Sequence, residues 1–130
     1  MEIPARILKV RRDARLSQAE FAARLGLSLS AYNNYERGVR EPPCEVLTAL
    51  CTQFEISADW LLLGVGSASP KALHEELQRV VIKVREWAAS FPEPVPPEVE
   101  AEMISVILQH RLENENPSSA TEDFLLKRAV

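Results

Sequence analysis

The sequence predicts an all-α protein: five short helices over residues 1–66, then a helical hairpin with a tail over residues 67–130. Apolar residues recur at three- and four-residue spacing along most of the chain, and no stretch alternates apolar with polar as a half-buried strand does. Residues that start and stop helices bracket the clearest of these runs. The stretch GVGSASPK, residues 64–71, reads as a linker through its two glycines, three small residues and proline.

The first helix is predicted over about Pro4–Ala14 and the second over about Gln18–Leu25. Ser17 and Glu20 form a capping box, each side chain satisfying a free backbone amide of the first turn. Phe21, Ala22 and Leu25 then mark an inward face. Gly26 suits a left-handed turn, which costs a residue bearing a Cβ about 1–2 kcal/mol. Leu27 can pack under that turn, and Ser28 is a second N-cap. In the third helix, about Leu29–Arg37, Tyr32 and Tyr35 face inward while Ser30, Asn33, Asn34 and Arg37 lie largely outside; Gly38 stops it. Pro42-Pro43 leads into a fourth helix, Cys44–Phe54, with Val46, Leu47, Leu50, Cys51 and Phe54 inward. Trp60 and Leu61 of a fifth, Ala58–Leu63, close the core.

Beyond the linker, Leu73, Leu77, Val80, Val84, Trp87 and Phe91 alternate by four and three residues, an a/d seam. FPEPVPPE, residues 91–98, breaks the helix with four prolines. A second long helix, about Pro97–Glu115, presents Val99, Met103, Val106, Ile107 and His110 on a broad apolar face. After a polar loop, Thr121 is a candidate cap for a short final helix carrying Phe124, Leu125 and Leu126. A hairpin of this size is near the limit of about 40 residues below which a domain needs help. The first domain, a second copy or another protein could each cover its apolar face, and the seam favours a second copy.

No apolar run approaches the roughly 18 residues of a membrane span, and the N-terminus lacks a signal-peptide pattern, so a cytoplasmic protein with no membrane contact is expected. Cys44 and Cys51, seven residues apart, read as buried thiols. His74 and His110 lack companions at ligand spacing, and the glycines at 64 and 66 match neither a nucleophile elbow nor a phosphate loop. No catalytic constellation, metal or cofactor is expected.

The run Leu16–Gly38, LSQAEFAARLGLSLSAYNNYERG, resembles the helix-turn-helix of the Cro and phage-repressor (XRE-like) family. Arg11-Arg12 upstream, Ser17-Gln18-Ala19-Glu20, Glu36-Arg37-Gly38 with Pro42, and Ile56-Ser57-Ala58-Asp59-Trp60-Leu61-Leu62 before Gly64 extend the likeness over about residues 5–65. The resemblance implies a five-helix repressor-like DNA-binding domain over residues 1–66, and a sequence-specific transcriptional regulator binding double-stranded DNA. It further implies a repressor acting as a homodimer on an inverted-repeat operator.

Carried over residue by residue, Leu29, Ser30 and Asn34 match positions that enter the major groove, with Asn33 beside them. Asn can bond adenine N6 and N7 together, whereas Leu offers only apolar contact, as to a thymine methyl. Leu29 departs from the polar residues often found there, leaving part of the specificity to DNA shape. Gln18 and Ser28, with Arg37 and Arg40, are candidate phosphate contacts, and Arg11 pairs with Glu36 as a structural tie. Leu73, Leu77, Val80, Val84 and Trp87 are the candidate dimerisation residues.

The net charge of −4 fits this once divided: residues 1–66 carry eight Lys/Arg against eight Asp/Glu, and residues 67–130 carry seven against eleven. Phosphate contacts are local, so a neutral domain can bind DNA while the acidic half does not. The alternative is an antitoxin or adaptor whose C-terminal half binds a partner protein.

Overall fold

The computed structural model describes residues 1–114 and 118–129. The described residues form eight α-helices and no strand: α1 (Ile3–Asp13), α2 (Gln18–Arg24), α3 (Leu29–Glu36), α4 (Cys44–Phe54), α5 (Ala58–Leu63), α6 (Pro70–Ala89), α7 (Pro97–Glu113) and α8 (Ser119–Arg128). The chain divides into two compact units, Met1–Pro70 and Lys71–Val130.

In the first unit, Ile7, Val10, Phe21, Ala22, Tyr32, Leu50 and Leu61 form one buried core. Phe21 is its hub, stacked on Phe54 at 4.7 Å between ring centroids and tilted against Tyr32 at 5.2 Å. The α2–α3 turn closes as two bonds, Gly26 N–H to the Ala23 carbonyl and Leu27 N–H to the Ala22 carbonyl at 2.9 Å. That pattern requires Gly26 at positive φ, +69°. Ser57 N–H donates to the Ala68 carbonyl, so residues 67–70, which the sequence assigns to the second half, stay with this unit.

Arg6 is buried on the inward line of α1 and caps the end of α5. Its Nε donates to the Leu61 carbonyl at 2.7 Å, Nη2 to the Leu62 carbonyl at 3.2 Å, and Nη1 to the Met1 carbonyl. Gly64 ends α5 at φ +71°, where a Cβ would meet Arg6 Nη1 at 3.0 Å. A charged residue at an inward position of a helical pattern was the sequence signal for this tie. Cys44 is exposed rather than buried, because the inward stripe of α4 begins only at Val46; Cys51 is half-buried.

In the second unit, Val80 and Val84 of α6, Met103 and Ile107 of α7, and Leu126 of α8 form the core. The tail thus contributes a third helix to the hairpin. Thr121 does not cap it: Ser118 holds the N-cap position, and Thr121 lies inside α8. The predicted end of the preceding helix at Glu115 falls outside the described residues, with α7 running to Glu113. Val80 and Val84 are covered within this unit, while Leu73 and Leu77 stay 40% and 37% exposed and Trp87 is half-buried.

A buried carboxylate ties the three helices. Glu122 of α8, 1% exposed, accepts from Arg111 Nε at 2.6 Å and Nη2 at 3.0 Å and from Lys83 Nζ at 2.8 Å. Arg111 also donates to Glu76 at 2.6 Å. Burial alone would raise the Glu122 carboxyl, but these cations hold it below the usual carboxylate range.

Candidate nucleic-acid interface

Side-chain caps fix both helices of the α2–α3 unit. Ser17 Oγ accepts from Glu20 N–H at 3.2 Å while Glu20 accepts from Ser17 N–H at 2.8 Å, and Ser28 Oγ accepts from Ala31 N–H at 3.1 Å. Tyr32 and Tyr35 bury one face of α3. The opposite face presents Leu29, 46% exposed, and Ser30, also exposed, with Asn34 half-buried further along.

Asn33 does not lie freely outside: it is half-buried, and its Oδ1 is buried without a hydrogen-bond partner. The Asn34 carbonyl accepts from Val39 N–H at 2.9 Å and Arg40 N–H at 3.2 Å, folding the segment after α3 back on its last turn. This presents Arg37 and Arg40 to solvent, neither paired with a carboxylate among the described residues.

Arg11 of α1 and Glu36 of α3 meet through two parallel bonds, Nε to Oε2 and Nη2 to Oε1, both 2.9 Å. Their side chains are 15% and 7% exposed. The Tyr32 hydroxyl donates to Glu36 Oε2, and Gln18 Nε2 donates to Glu36 Oε1 at 3.1 Å. Burial pushes the Glu36 carboxyl up, but bonds from Arg11, Tyr32 and Gln18 outweigh it and leave the group below its ordinary range. The bond to Glu36 raises Arg11, and burial followed by the same carboxylate raises Tyr32. Sequence reasoning named the pair but missed that Tyr32 and Gln18 complete it. Their spacing, four residues before Glu36 and first in α2, was the available signal.

The arrangement is a capped two-helix unit whose α3 turns Leu29, Ser30 and Asn34 away from the buried tyrosines, with two unpaired guanidinium groups just beyond it, the geometry that docks in a DNA major groove. A helix-turn-helix family profile matches residues 7–61. The uncharacterized HTH-type transcriptional regulator YqaE of Bacillus subtilis (strain 168) is 30% identical over 105 residues, covering 81% of this chain and 82% of its own. This chain belongs to the XRE-type helix-turn-helix transcriptional regulators. Other similar members from the same strain are YobD, 26% identical over 60% of this chain and 70% of its own, and ImmR, 32% identical over 62% and 63%. No solved structure matches the chain significantly. The residues that match the helix-turn-helix profile fall within the first unit. No helix among the described residues is long and apolar enough to cross a membrane.

Proposed function

We propose that this regulator is a cytoplasmic repressor that binds an inverted-repeat operator as a homodimer, one α3 in each major-groove half-site. The observation that carries it is the exposed edge of α3, Leu29 and Ser30 with Asn34 further along, opposite the buried Tyr32 and Tyr35. Asn34 reads a base pair, Leu29 and Ser30 contact neighbouring base edges, and Asn33 joins them only by turning outward. Gln18, Ser28, Arg37 and Arg40 hold phosphates, setting the register of α3. A second copy meets the uncovered part of the seam, Leu73 and Leu77 with Trp87, while Val80 and Val84 support that face from beneath.

The test is selection of bound duplexes from a random pool, then titration of variants against single-substituted operators. Asn34→Ala is expected to relax preference at one base pair per half-site by roughly 1–3 kcal/mol. Arg40→Ala is expected to weaken all sequences alike and flatten the salt dependence. The opposite assignment would overturn the orientation of α3, and saturation of an asymmetric site by one chain would overturn the dimer.

A further inference from the structure

We infer that Glu36 is a positioning residue for Gln18, its carboxylate fixing the side-chain amide so that one N–H is held internally and the other is left to donate to a DNA phosphate. This rests on the reading of Gln18 as a phosphate contact. A carboxylate has two oxygens with about four lone-pair sites, and Glu36 fills them with four donors. Oε2 takes Arg11 Nε and the Tyr32 hydroxyl; Oε1 takes Arg11 Nη2 and Gln18 Nε2. Of these donor residues Gln18 is the most exposed, against a half-buried Arg11 and a buried Tyr32, so it is the main route by which the cluster reaches solvent.

An ionised carboxylate only accepts, and that decides which end of the Gln18 amide faces it. With the carboxylate present, Nε2 turns toward Glu36; without it, either amide orientation is open. The charge does not repel an approaching phosphate as a bare carboxylate would, because the Arg11 fork neutralises it. Arg11 Nη1 also donates to the Leu16 carbonyl at 3.0 Å, holding the chain just before the Ser17 cap. One carboxylate therefore links α1, the first residue of α2 and the end of α3. It sets the position of Gln18 relative to the helix that reads bases. Ordering a long polar side chain before binding removes rotamer entropy that the complex would otherwise lose.

The test is a double-mutant cycle on the full chain, with affinity measured on a duplex selected from a random pool, at temperatures where every variant is folded. Gln18→Ala is expected to weaken binding roughly tenfold on all sequences, the scale of a charge-assisted bond. Glu36→Gln is expected to weaken binding roughly fivefold when Gln18 is present and less than about twofold in the Gln18→Ala background. Equal factors in both backgrounds would show Glu36 acting only through the fold and overturn the proposal. Should Glu36→Gln fail to fold, side-chain ¹⁵N relaxation of the Gln18 amide in the free wild-type chain decides the matter. An order parameter near 0.8 supports the proposal; one below about 0.6 overturns it. If Gln18→Ala leaves affinity unchanged, the phosphate reading itself fails and takes this inference with it, even where relaxation shows the amide ordered.

Discussion

Two ion pairs of the first unit show how burial decides what a charge contributes. Lys9 and Asp13 lie 3.0 Å apart with side chains 46% and 65% exposed, while Arg11 and Glu36 form a fork at 15% and 7%. Asp13→Ala is expected to cost under about 1 kcal/mol. Glu36→Ala leaves a mostly buried guanidinium and a tyrosine hydroxyl without their acceptor, and is expected to cost roughly 3–5 kcal/mol. Thermal melts without DNA separate the two; an unchanged Glu36→Ala melt would show that the pair is not a structural tie. Glu36 and Glu122 both have carboxyls held below their ordinary range. The unfolded chain therefore takes up protons first as pH falls, so this stability is full above the unfolded carboxylate value, about 4.3, and drains away below it. Melting temperatures should drop through that acid range, less steeply in Glu122→Gln than in wild type. An equal slope in the variant would mean that Glu122 does not carry the effect.

Among elements, the helix ends and the turn between α2 and α3 were readable because capping depends on residues close in sequence. Ser17, Glu20, Gly26 and Ser28 announce their roles locally, and Ser28→Ala is expected to cost about 1 kcal/mol, with Ser28→Gly costing only a few tenths. A flat melt for Ser28→Ala would remove it as a cap. Long-range ties were less legible. Arg6 reaches α5 across 55 residues, and Arg111 reaches Glu122 across 11. Nothing in local spacing says which charges converge, although both Arg6 and Glu122 stand on inward helical lines. Gly64 reads as the first residue of the linker, yet the sequence does not reveal the guanidinium beside it. Gly64→Ala meets positive φ and a contact of 3.0 Å together. It should therefore destabilise by more than the roughly 1–2 kcal/mol of the backbone term alone. The seam of α6 was visible as a pattern, but α8 was too short and too polar to announce that Leu126 would join the core covering Val80 and Val84.

For the whole molecule, the division of the seam makes the proposed homodimer separable from folding. Leu73 and Leu77 are partly exposed, whereas Val84 is fully buried among Met103, Ile107 and Leu126. Leu77→Glu should leave the helices of the second unit intact and abolish self-association, while Val84→Glu should unfold that unit by burying an unpaired charge. The fragment 1–70 has its own core and hydrogen-bonded end, and it should fold alone. It should bind the operator far more weakly than the full chain, because joining two reading heads makes the second contact intramolecular at an effective concentration of about millimolar. Leu77→Glu should match the fragment in affinity although it keeps every residue of the DNA-binding unit. Sedimentation equilibrium gives the oligomeric state, and titration of a two-half-site duplex gives the affinity. A full-length chain that stays monomeric at high micromolar concentration, and binds no tighter than 1–70, would rule the dimer out. A dimer that survives Leu77→Glu would instead move the interface to another face of the molecule.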